Sequence, residues 1–109
     1  MKPVVFLGDS VMRLRAFPGG ARRDAGFQLD RVQRGLDPDD WKPMQAIGPG
    51  VREIRVRDVG GAFRVVYVAT SPEAVYVLHA FQKRTPRTSP RDIALAQSRY
   101  RALKRSAQR

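Results

Sequence analysis

The feature that most constrains this chain is a run of three segments between Val51 and Gln82 in which apolar residues recur at every second position or fill both. In Val51–Asp58, Ile54 and Val56 point one way while Glu53, Arg55 and Arg57 point the other, the period of a half-buried strand. Gly60-Gly61 supplies a hairpin turn, and Phe63–Thr70 reads as the next strand. Ser71-Pro72-Glu73 turns the chain again. Ala74–Gln82 follows, apolar on both faces as a strand inside a sheet is. Three consecutive strands joined by short turns make an antiparallel meander, which needs other elements to cover its apolar surface.

The remaining sequence supplies them. Residues 4–8 read as a first strand, and Asp9 and Ser10 as N-cap residues of a short helix ending near Ala16. Phe17-Pro18-Gly19-Gly20 breaks it. Ala21, Ala25, Leu29 and Val32 form one apolar stripe, which predicts a helix from Ala21 to Arg34 stopped by Gly35. Residues 35–50 read as a loop with Trp41, Met44 and Ile47 tucked against the core. Lys83–Pro90 is a basic loop. A last helix is expected over Arg91–Arg105, with Ile93, Ala96, Tyr100 and Leu103 as its stripe, and then a frayed tail over 106–109. The order β-α-α-β-β-β-α predicts a single α+β domain over residues 1–109, a small antiparallel sheet with helices packed on one face.

Charge indicates the partner. Twenty-one Lys and Arg against ten Asp and Glu leave +11, and from Lys83 to Arg109 nine residues are basic and only Asp92 is acidic. Such a field attracts polyanions: nucleic acid first, an acidic protein second. With no cysteine and one histidine, disulfides, thiolate metal sites and a His-rich metal site are excluded, and no cofactor or metal is expected. The carboxylates of Asp37-Pro38-Asp39-Asp40 read as turn caps. The N-terminal apolar run is too short for a signal peptide and no stretch is long enough to span a membrane, so a cytoplasmic location is expected.

Three strings, Gly50-Val51-Arg52-Glu53-Ile54-Arg55, Phe63-Arg64-Val65-Val66-Tyr67 and Leu78-His79-Ala80-Phe81-Gln82-Lys83-Arg84-Thr85, stand in the order and spacing found in RelE/ParE toxins. With Lys42 and the segment from Asp92 to Tyr100, they make nearly the whole chain resemble that superfamily, and phage-related HigB-like proteins within it. The resemblance implies the toxin of a type II toxin–antitoxin pair: an endoribonuclease that cuts messenger RNA on the ribosome, held by a cognate helix-turn-helix antitoxin. ParE relatives share the fold but act on DNA gyrase, so a non-catalytic gyrase toxin is the alternative. A basic nucleic-acid-binding phage regulator is another, although no helix-turn-helix pattern supports it.

RNA cleavage by 2′-OH attack needs no metal. It needs a positioned nucleotide, cations at the phosphoryl oxygens and two proton transfers. Arginine suits the charge task and is a poor base; lysine becomes a base when burial or neighbouring cations depress its pKa. The resemblance carries catalytic roles to Arg64 and Arg84 first, and then to Arg55 and Lys83. His79 is a candidate acid or base, and Arg57, Arg87, Lys42 and Arg91 are candidate RNA contacts. The plainer readings are a solvated strand face for Arg55 and Arg57, a structural ion pair with Glu53 or Asp58 for Arg64, and solubility for Lys83 and Arg84. For His79, read as sharing a face with Val75, Val77 and Phe81, the plainer reading is a hydrogen-bonded core residue. Tyr67 and Tyr76 could stack on a base or pack in the core. Some relatives carry a tyrosine after the basic strand end; Thr85–Pro90 has no aromatic residue, which leaves the general base open.

Overall fold

The three period-two segments form the centre of one sheet. In the computed structural model, which describes residues 1–107, the order is β1 (Val4–Phe6), α1 (Ser10–Arg15), α2 (Gly19–Gln33), β2 (Trp41–Pro43), β3 (Val51–Asp58), β4 (Gly61–Val68), β5 (Val75–Lys83) and α3 (Pro90–Ala107). The α+β class is as expected. The sheet has five strands in the order β1-β5-β4-β3-β2, antiparallel except where β1 runs parallel to β5.

Three differences from the sequence reading of the elements stand out. Trp41–Pro43, read as loop, is an edge strand paired with Arg52–Ile54; three residues ending in proline carry no legible period. The last helix runs through Ala107, so Ser106 and Ala107 are helical, while the remainder of the expected frayed tail lies outside the described residues. At the other end, Gly19 and Gly20 start α2 instead of separating it from α1, with Pro18 as its N-cap residue.

Each sheet face buries its own apolar set. Ile54, Val56, Phe63, Val65, Tyr67, Val75, Val77 and Ala80 pack against Leu14, Phe17, Ala21, Ala25, Leu29 and Val32, so α1 and α2 share one face as expected. The opposite face carries Val51, Val66, Val68, Leu78 and Phe81 under Met44, Ile47, Ala96 and Tyr100, and this is where α3 lies. Burial of one such side chain contributes roughly 1.5–3 kcal/mol, which is why α3, polar on its outer side, is held by a few residues. The Tyr100 ring sits where a Cβ on Gly48 would be, and its hydroxyl donates to the Pro49 carbonyl at 3.2 Å. Residue 48 must therefore be glycine for the ring to seat.

A bulge interrupts β5. Tyr67 pairs with Val77 but Val66 pairs with His79, which leaves Leu78 as the extra residue. Leu78 and His79 consequently turn to the same face. This corrects the expectation that His79 shares a face with Val75 and Val77; it shares one with Phe81, on which its ring stacks at 5.0 Å.

Candidate functional site

The α3 side of the sheet is only half covered by its helix. The end left open is where the cations gather. Period-two alternation puts Glu53, Arg55 and Arg57 of β3 on this face, and the sheet register adds the rest. Lys42 pairs with Glu53, Arg64 pairs with Arg55, and Ala62 lies between Arg57 and Lys83. Lys42, Arg55, Arg57, Arg64 and Lys83, all candidates from the sequence, therefore occupy neighbouring positions across β2, β3, β4 and β5.

At the base of this cluster is a carboxylate with no exposed surface. Glu53 Oε1 lies 3.3 Å from Arg64 Nε and 4.0 Å from Lys42 Nζ, and Oε2 accepts a 2.8 Å hydrogen bond from the buried Thr88 hydroxyl. Arg64 is itself 4% exposed and donates from Nη1 to the Phe63 carbonyl at 3.0 Å. The pairing with Glu53 proposed as the plainer reading of Arg64 is thus present. It also leaves the guanidinium among the other cations of the open face. Thr88 is the residue of the site that the sequence reading missed: nothing local signals that it crosses back over β4 to reach Glu53 on β3.

Crowding of like charge shows in the titration behaviour. Burial pushes the Arg64 pKa down, Glu53 opposes, and Arg55 and Arg57 push it down further. The Lys83 pKa is also lowered, by desolvation first and then by Arg64 and Lys42. Lys83 has no carboxylate within ion-pair distance among the described residues, whereas Arg55 lies 4.0 Å from Asp40. Lys83 thus meets both conditions that lower a lysine's pKa, partial burial and flanking cations.

The other candidates stand apart from this cluster. His79 is 1% exposed, and its Nε2 lies 2.8 Å from Asp92 Oδ1, beside the Ser89 hydroxyl that donates to Asp92 Oδ2 at 2.7 Å. Ser89 also accepts from the Asp92 N–H, so this knot joins the start of α3 to β5. The geometry fits the plainer reading of His79. Arg84 lies at the sheet edge, its Nη2 donating to Gln82 Oε1 at 2.8 Å, and Arg87 and Arg91 are exposed on the β5–α3 loop and the first turn of α3. Tyr67 is buried in the core, Tyr76 half-buried. Among the described residues no group of acidic, histidine or cysteine side chains could hold a metal ion, and Asp37 and Asp40 instead face Arg52 and Arg55. Among the described residues no helix is long and apolar enough to cross a membrane.

Burial lowers the His79 pKa and Asp92 only partly restores it. Below the ordinary value of 6.5 the unfolded chain takes up a proton that the folded chain resists. Stability therefore falls as pH drops through that value. Urea unfolding midpoints are expected to decrease from pH 7.5 to pH 5.5, and His79→Gln is expected to flatten that slope; an unchanged slope in the variant would assign it to other groups.

A comparison with curated proteins returned no significant match. The family model of phage derived proteins described as Gp49-like (DUF891) matches residues 12–101, a span from α1 to α3 that contains every strand of the cationic cluster. The chain belongs to this Gp49-like family of phage-derived proteins.

Proposed function

We propose that the protein is the toxin of a type II toxin–antitoxin pair, a ribosome-dependent messenger-RNA endoribonuclease kept inactive by a cognate helix-turn-helix antitoxin. Membership of a phage-derived family that is often toxin-like supports the toxin part of the reading. The observation that carries the nuclease part is the open cluster of Lys42, Arg55, Arg57, Arg64 and Lys83 over a buried counter-ion.

A scissile phosphate laid on this face lies over Arg64, a guanidinium only 4% exposed that Glu53 and the Phe63 carbonyl hold in place before substrate arrives. Fixed cations stabilise charge on phosphoryl oxygens without reorganising. Lys83, with its depressed pKa, takes the proton from the attacking 2′-OH; the P–O5′ bond breaks as the O2′–P bond forms, and the leaving 5′-oxygen takes its proton from solvent. Arg55 and Arg57 hold the flanking backbone. The ribosome supplies the substrate geometry that so shallow a face does not impose, and cleavage of naked RNA is expected to be weak.

Brief induction in cells followed by mapping of new 5′ ends tests this reading. Cuts confined to translated reading frames are expected. Growth arrest with intact messages would overturn the nuclease assignment in favour of a protein target such as gyrase, and absence of arrest would overturn the toxin assignment.

A further inference from the structure

The longest helix presents a face that neither the core nor the cationic cluster uses. α3 turns Ile93, Ala96, Tyr100 and Leu103 to the sheet. Two more of its side chains reach back to the body of the fold, Arg99 to the Leu78 carbonyl at 2.9 Å and Gln97 to the Ala46 carbonyl at 2.6 Å. On the opposite side Arg91, Ala94, Ser98, Arg101 and Arg105 recur at spacings of 3, 4, 3 and 4, which is one row along a helix, and all five are exposed.

The cations of this row are unmatched. Elsewhere arginines meet carboxylates: Arg13 of α1 pairs with Asp9, and Arg31 and Arg34 of α2 pair with Asp39 and Asp30. The one acidic residue of α3 is Asp92, which His79 and Ser89 already engage. Glu73 shares a small cavity with Lys104, to the side of the row. Among the described residues Arg91, Arg101 and Arg105 have no carboxylate within ion-pair distance. Part of the excess charge of +11 is thus concentrated on one exposed line. Arg91 and Arg105 stand about 21 Å apart along the axis, and the line starts beside the cationic cluster, because Thr88, just before α3, bonds to Glu53.

We propose that the outer face of α3 binds the sugar–phosphate backbone of double-stranded RNA, as a docking surface separate from the cationic cluster. The inference rests on the reading above for RNA as the polyanion, and not for the cleavage step. Unpaired arginines gain affinity for phosphates by releasing counterions. Ala94 and Ser98 are short, so a backbone can approach the helix between them, and the wide, shallow minor groove of an A-form duplex accepts such a face. A single strand needs exposed aromatic side chains on which its bases stack; the only aromatic residue of α3 is Tyr100, buried with Lys104 over its ring. A protein partner would find short side chains and a half-buried Leu95 here, without the aromatic anchor on which protein interfaces depend.

The test is fluorescence anisotropy of the full chain with a hairpin RNA whose stem has about 16 base pairs, repeated over a range of KCl concentrations. Binding is read without cleavage, so the outcome does not depend on whether the cluster cuts RNA. Arg101→Gln/Arg105→Gln is expected to weaken binding at least about tenfold and to reduce the slope of log Kd against log salt by about 2, one for each lost phosphate contact. Arg15→Gln/Arg23→Gln removes the same charge from exposed positions of α1 and α2, and is expected to leave both readings near those of the wild type. Both pairs are expected to keep the wild-type Tm. Four results would overturn the proposal: no binding of the hairpin by the wild type, undiminished binding by Arg101→Gln/Arg105→Gln, an equal loss in the α1–α2 pair, or oligouridylate or a DNA hairpin bound as tightly and with the same dependence on Arg101 and Arg105.

Discussion

Glu53→Ala is expected to lower the unfolding free energy by about 3–5 kcal/mol, the usual cost of leaving a buried charge without its partner. At about 4 °C per kcal/mol for a domain of this size, the melting temperature falls by about 12–20 °C. The physical reason is the burial of both partners: Glu53 has no exposed surface and Arg64 is 4% exposed, so water cannot replace the missing carboxylate. Thr88 loses its acceptor in the same variant, which frees the β5–α3 loop from the sheet. The double variant Glu53→Leu/Arg64→Met removes both charges and is expected to recover most of the loss. A shift below about 4 °C in the single variant, under about 1 kcal/mol, would mean that the ion pair contributes nothing to the fold. The same logic makes Arg64→Ala a poor probe of activity, because it strands Glu53.

Lys83 is the cleaner probe, and the second large effect is expected there. Lys83→Arg keeps the charge and removes the proton acceptor that the proposed mechanism requires. On ribosomes programmed with a short message, cleavage is expected to slow at least about 100-fold, the lower end of what one positioned proton acceptor contributes. Wild-type rates are expected to rise with pH until Lys83 is deprotonated, below its ordinary pKa of 10.5, and the arginine variant is expected to lose that rising limb. Lys83→Met is expected to be slower still, because it also removes a cation from the phosphate. Both variants are expected to keep the wild-type melting temperature, since Lys83 lacks a carboxylate partner and is only half-buried. A Lys83→Arg protein with an undiminished rate would exclude Lys83 as the base and leave the cluster a purely electrostatic role.

Legibility followed the range of the interaction. The three strands β3, β4 and β5 were readable because side-chain alternation is a local property, and with them the shared face of Arg55, Arg57 and Arg64. The helix stripes were readable for the same reason. β2 was not, because Trp41-Lys42-Pro43 is too short to show a period, and its pairing is decided by β3. Glu53 was legible as one of two possible partners for Arg64, but its burial was not, because that depends on Thr88, 35 residues away, as well as on Arg64 across the hairpin. Arg84 was expected to converge with Lys83 in one cluster, and the two instead lie on opposite faces of β5, Lys83 on the side of Arg64 and Arg84 on the side of Ala80.

That separation comes down to parity. Along an unbroken β5, Val75 and Val77 would share their side with His79, Phe81 and Lys83, and Arg84 would fall on the other. The extra residue at Leu78 shifts the count by one: Ala80 goes to the Val77 side, while Phe81 and Lys83 go across. One unpaired residue thereby decides which of two adjacent cations lies on the face of Arg55, Arg57 and Arg64. Insertion or loss of a single residue between Val77 and Ala80 would exchange the assignments of Lys83 and Arg84 while leaving composition, charge and hydrophobicity almost untouched.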